Sequence, residues 1–195
     1  GHRVLRVNIC GGDVVDWHSR DAVWYQGRTT DWSGWIGDLM HREGVTDLLA
    51  FGDWRPLHRE AILVAGLRNI RVWAFEEGYL RPHYITMEEG GVNGNSLLPH
   101  SPALLRELAE THPDPAPPVA VPHPLSARVW KAIAYYAGTI FLRPFFPCFR
   151  THRPQSAVSE VWGWFLRVLT RRKWERRSAE SVRAIYRSRA PYFLF

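Results

Sequence analysis

Val45 to Glu77 reads VTDLLAFGDWRPLHREAILVAGLRNIRVWAFEE, and this stretch decides the fold. Val45–Phe51 is an apolar, strand-forming run that Gly52 ends. Pro56 suits the first turn of a helix, where its missing N–H would have had no partner anyway. That helix is expected to run to about Arg68, with Ile62, Leu63, Ala65 and Gly66 inside it. Ile70–Phe75 is the next strand. Two strands joined by a helix of this length pair in parallel through a right-handed crossover.

Working outward, the alternation continues upstream. Asp31 stands where it can cap a helix whose apolar positions, Trp32, Trp35, Ile36, Leu39 and Met40, keep a helical period, and Gly44 stops it. Val4–Ile9 is a further short strand, followed by a turn at Gly11-Gly12-Asp13. The expectation is a doubly wound, Rossmann-like α/β unit: a parallel sheet flanked by helices. Downstream the pattern loosens. Ile85–Glu88 is a short strand, Gly90-Gly91 and Asn93-Gly94 mark turns, and Ser101–Glu110 is a short helix with Ser101 as cap and Pro102 at its first position. Residues 113–124 hold six prolines, which gives a linker. Ala132–Leu142 is uncharged but, at eleven residues, too short to span a bilayer.

Composition excludes several classes. The 195 residues are 46% hydrophobic and 13% aromatic, enough for a real core, so global disorder is ruled out. Two cysteines, Cys10 and Cys148, give neither a disulfide framework nor zinc-ligand spacing, which fits a reducing, cytosolic compartment. The net charge of +6 is unevenly spread: residues 1–125 carry −5 and residues 126–195 carry +11. A basic block of that size fits the phosphates of nucleic acid or of anionic lipid. Its core, Ser159–Arg189, is expected to be helical, with Val161, Trp162, Phe165, Leu166 and Leu169 at helical spacing before Arg171, Arg172, Lys173, Arg176 and Arg177. Three readings stand: a packed helix with a solvated basic face, a helix lying on anionic lipid, and an aromatic and arginine surface for single-stranded nucleic acid.

Chemistry in an open parallel sheet sits beyond the carboxyl ends of the strands. Gly52–His58 follows one strand there and Glu76–Pro82 follows the next. If those strands are neighbours, Asp53, Arg55, His58, Glu76, Glu77 and Arg81 converge on one cleft. The plain alternative is that these charges cap helices and pair with one another. Adjacent carboxylates in an extended segment point to opposite sides, so one faces the cleft while the other anchors the loop. A cleft carboxylate serves as nucleophile or base, and in glycosyl transfer it traps or stabilises an oxocarbenium-like centre. The arginines match a carboxylate or phosphate bidentately. His58, one turn into its helix, is either an anion donor and proton shuttle or a plain surface histidine. Dinucleotide fingerprint, P-loop, serine elbow and paired-histidine metal motif are all missing from the sequence, so hydride transfer and ATP hydrolysis have no support.

Three motifs, Gly52-Asp53-Trp54-Arg55-Pro56-Leu57-His58-Arg59-Glu60-Ala61, Phe75-Glu76-Glu77-Gly78-Tyr79-Leu80-Arg81-Pro82 and Gly91-Val92-Asn93-Gly94-Asn95-Ser96, resemble in order and spacing the capsular polysaccharide biosynthesis proteins of the KpsS type, relatives of the KpsC type. The resemblance implies a retaining glycosyltransferase of two Rossmann-like domains (a GT-B arrangement). It would move Kdo from CMP-Kdo to a lysophosphatidylglycerol acceptor, starting the β-Kdo linker of a capsule. It implies a cytoplasmic protein, peripheral on the inner face of a Gram-negative inner membrane, with other capsule assembly and export proteins as partners. No metal, no further cofactor and no nucleic acid are expected.

By the same resemblance Glu77 is the nucleophile, in the place of an acidic residue in a Glu-Asp-Gly-Phe motif. Glu76 and Asp53 orient the site. Arg55, His58, Arg81 and Asn93 bind the anionic sugar or the acceptor, and the arginine-rich helix meets the membrane. His83 departs from the family pattern, where Asp is usual. The family is about twice this length. Residues 1–112 are thus expected to be a Rossmann-like domain short of its first strand and helix, 113–125 a linker, 126–190 a basic helical segment and 191–195 the start of a second domain. A chain of this extent is expected to be inactive alone. The competing expectations are a non-catalytic capsule assembly or export component and a basic nucleic-acid-binding protein.

Overall fold

The computed structural model describes residues 1–19, 21–78, 83–112, 124–151 and 156–188. In chain order these form β1 (Arg6–Asn8), α1 (Gly11–Asp16), β2 (Ala22–Trp24), α2 (Trp32–Arg42), β3 (Asp47–Phe51), α3 (Pro56–Gly66), β4 (Arg71–Glu77), β5 (Ile85–Glu89), α4 (Pro102–Thr111), α5 (Leu125–Phe141) and α6 (Ala157–Ser188). The chain is α/β, with small parallel pairings and helices compatible with a Rossmann-like unit. β1 pairs in parallel with β2, and β3 with β4 in register Phe51 to Phe75, while β5 runs antiparallel to β4.

Two strands start later than the apolar runs do, for one reason. The Val45 amide still donates to Met40 O at 2.9 Å, with Gly44 left-handed at φ +60°. The Ile70 amide likewise donates to Ala65 O at 3.0 Å, with Asn69 at φ +54°. Each helix is closed by a left-handed residue whose neighbour caps the last carbonyls, so that residue cannot yet join the sheet. Asp31 and Ser101 do stand at the N-caps of α2 and α4, but neither side chain makes the capping bond.

The doubly wound expectation needs correction. α2 and α3 cover one face of the β3–β4–β5 sheet, where Leu48 and Val72 join Ile36, Leu39, Met40, Ala61, Val64 and Ala65 in the core. Tyr25 and Trp32 complete that core, and the Trp32 indole donates to Leu57 O at 2.8 Å, so its burial leaves no polar group unpaired. On the opposite face Leu49, Phe51, Ile85 and Met87 are exposed.

Gly11-Gly12-Asp13 is also not a turn. It opens α1, with the Asp13 carboxylate accepting from the Ile9 and Cys10 amides at 2.9 and 3.2 Å. The glycines serve a close helix crossing: a Cβ on Gly11 would lie 2.1 Å from the Gly138 carbonyl of α5. α5 packs on α1, and the buried Phe146 ring lies tilted against Trp24 at 5.4 Å between centroids; the chain divides into two compact units, Gly1–His152 and Arg153–Phe195. The proposed start of a further domain at 191–195 and nearly all of the linker lie outside the described residues. No helix among the described residues is long and apolar enough to cross a membrane.

Candidate functional site

β3 and β4 are neighbours and end side by side, so the segments after them share one edge of the sheet. The Gly52 amide continues the ladder, donating to Phe75 O at 2.9 Å, and Gly52 then turns left-handed at φ +73°. A Cβ there would make only ordinary contact, 3.4 Å from Glu76 Oε1, so it is the backbone angle that glycine suits. His58 Nδ1 donates to the Gly52 carbonyl at 2.9 Å. This bond fixes the ring against the turn and leaves Nε2 as its other polar atom.

Asp53 is buried, at 8% exposure, and one oxygen of its carboxylate accepts from the Val92 amide at 2.9 Å and from Asn95 Nδ2 at 3.1 Å. Asn93, left-handed at φ +54°, donates from Nδ2 to Glu76 Oε2 at 2.6 Å. Ser96 Oγ donates to the Glu88 carboxylate. Gly90 turns the chain at φ +86° after its amide bonds Val72 O, at the amino end of β4, and residues 92–95 then reach Asp53 and Glu76 at the carboxyl end. The three sequence motifs therefore meet in space, and the third lashes the first two together.

The other candidates distribute as follows. Alternation along β4 puts Glu77 opposite to Glu76, on the exposed side, paired in register with Ile85. Arg55 is exposed and lies over the Phe51 ring, 5.6 Å from its centroid. Arg59 lies similarly over Trp54, at 5.7 Å. Arg81 lies outside the described residues. Arg171, Arg172, Lys173, Arg176 and Arg177 are exposed on α6 in the second unit. The sequence reading passed over Val92 and Asn95 as site residues. The available signal was a buried-type aspartate followed forty residues later by an Asn-Gly-Asn loop, a pairing of carboxylate with loop donors. No group of three or more His, Cys, Asp or Glu among the described residues is placed to hold a metal ion.

The fold and this loop cluster define an α/β protein whose carboxyl-edge loops gather two acidic residues and their amide donors. The description "capsule polysaccharide biosynthesis protein" belongs to the family whose profile matches residues 46–195, and the chain belongs to that family. It is 38% identical over 165 residues to the capsule polysaccharide export protein KpsS of Escherichia coli, covering 84% of this chain and 42% of that one. It is 35% identical over 177 residues to the capsule polysaccharide modification protein LipB of Neisseria meningitidis serogroup A, covering 88% of this chain and 42% of the relative. The chain thus spans about two-fifths of the length of the curated relatives it matches. No solved structure matches it.

Proposed function

We propose that this chain is part of a retaining glycosyltransferase of GT-B type that moves Kdo from CMP-Kdo to a lysophosphatidylglycerol-type acceptor at the inner membrane face. The observation that carries the reading is the division of labour between two adjacent carboxylates: Glu76 bonded to Asn93, Glu77 turned to the opposite, exposed side. In this mechanism the Glu77 carboxylate attacks the anomeric carbon as its bond to the CMP phosphate oxygen breaks, and CMP leaves with that electron pair. The acceptor hydroxyl then displaces Glu77 from the same carbon and loses its proton to solvent, so two inversions give retention. Asp53 and Glu76 are positioning residues that act through residues 92–95. Arg55, His58 and Arg81 supply cationic and hydrogen-bonding contacts to the sugar carboxylate or acceptor phosphate.

The test is a transfer assay on a full-length protein containing this segment, supplied with CMP-Kdo and lysophosphatidylglycerol and followed by product mass. A one-Kdo adduct that falls at least ~10³-fold in rate in Glu77→Gln is the expected result. An adduct surviving undiminished in the variant removes Glu77 from the chemistry. The relative named an export protein favours a second reading, a non-catalytic capsule assembly component. In that case no adduct forms, and Glu77→Gln leaves ligand affinity unchanged.

A further inference from the structure

The helix α6 spans 32 residues, Ala157–Ser188, and none of its side chains described is buried. Its first half nevertheless carries Val158, Val161, Trp162, Trp164, Phe165 and Leu169, with exposures from 46% to 65%. A charged, well-solvated helix has no use for that much apolar surface.

At 100° per residue, Val158, Val161, Trp162, Trp164, Phe165, Leu166, Val168 and Leu169 fall within an arc of about 200°. Ser159, Glu160, Gly163, Arg167 and Thr170 fill the rest. Carried past Leu169, the middle of the same arc is occupied by Arg172, Arg176, Arg183 and Arg187, with Lys173, Glu175 and Glu180 farther out on it and Ala179 and Tyr186 between them. Arg171 and Arg177 flank it just outside its two edges, the first paired with Glu175 at 2.6 Å and the second lying over the Trp174 ring. One face therefore reads apolar for roughly 18 Å and basic for roughly the next 27 Å, taking 1.5 Å per residue. Averaged over the whole helix this change of character hides the amphipathicity.

We propose that α6 docks obliquely on an anionic phospholipid bilayer, its Val158–Leu169 face entering the acyl boundary and the arginine row continuing that face onto the headgroup phosphates. Charge complementarity selects the occupant. The arginine row needs a phosphate surface, the apolar arc beside it needs hydrocarbon, and a bilayer offers both side by side within a few ångströms. Single-stranded nucleic acid would meet the arginines and leave Val158, Val161 and Leu169 in water. The proposal deepens the membrane location in the reading above, yet needs neither CMP-Kdo nor Glu77.

The test is flotation of the 195-residue chain with phosphatidylcholine vesicles, with and without phosphatidylglycerol, in the absence of any nucleotide sugar. Binding is expected only with phosphatidylglycerol present. Arg172→Ala/Arg176→Ala should weaken it roughly thirtyfold, at about 1 kcal/mol per interfacial arginine. Arg171→Ala/Arg177→Ala removes the same charge from the same helix and should cost only about threefold, because those two flank the face and are engaged with Glu175 and Trp174. Helicity by circular dichroism controls for folding, since alanine favours helix. Equal losses from the two pairs would overturn the proposal, as would tighter binding to single-stranded RNA, or a soluble dimer that ignores vesicles. Glu77→Gln should bind vesicles like the parent, so failure of the transferase reading and failure of this one give different results.

Discussion

Asp53 shows most clearly what the residues of the site do. A buried carboxylate oxygen that accepts from Val92 N and Asn95 Nδ2 is a latch for the loop rather than a group waiting for substrate. Val92 is itself 1% exposed, so Asp53→Ala strands its N–H away from water. We expect that variant to lose about 1–3 kcal/mol of stability in urea titration and the Val92 amide to lose its exchange protection. Asp53→Asn keeps an acceptor oxygen and should lose clearly less. The motif singled this residue out as a candidate that orients the site, whereas its hydrogen-bond partners were not legible. A sequence shows that an aspartate follows a strand, but which loop donors return to it forty residues later depends on the path of the intervening chain.

At the scale of elements, α2, β3, α3 and β4 could be read from periodicity because each carries enough apolar residues to fix its period. β2 could not. Ala22-Val23-Trp24 is three residues long, too short for alternation to register. α1 was concealed by its own packing device, since paired glycines that read as a turn are there to admit α5. That crossing buries Cys10 beside Tyr135, with Sγ 3.4 Å from the phenol oxygen. Burial pushes the Cys10 thiol above its usual range, and the nearby Asp13 carboxylate adds to it. Burial raises the Tyr135 phenol as well. A raised acid in the folded state contributes stability that is whole below the unfolded pKa, near 9 for the thiol, and is lost as pH climbs above it. The urea midpoint should therefore drop between pH 8 and pH 10.5, and drop less in Cys10→Ser, which has no thiol to ionise.

The whole molecule is defined by what its surfaces leave open. The orientation of β5 follows from chain economy: seven residues join it to β4, too few for a parallel crossover, so it folds back antiparallel. The bare sheet face of Leu49, Phe51, Ile85 and Met87 had no signature in the sequence, because apolar residues at strand positions look alike whether or not a helix covers them. The two methionines report on it directly. Met40 is 3% exposed and Met87 49%. Mild peroxide should convert Met87 to its sulfoxide well ahead of Met40, as read by peptide mass mapping. In a full-length protein containing this segment, protection of Met87 would locate the cover for that face.

The left-handed Asn93 also sets a clock. It precedes Gly94, where a side chain would meet nothing within 4 Å, and a glycine in open space offers least steric hindrance to attack by its own amide nitrogen on the preceding asparagine side chain. Cyclisation there expels ammonia, and hydrolysis of the resulting succinimide leaves aspartate or isoaspartate. The donor that held Glu76 at 2.6 Å becomes a second carboxylate, and attraction turns to repulsion. Stored protein should gain one mass unit in this peptide first, and the loop that ties the three motifs together should come undone as it does.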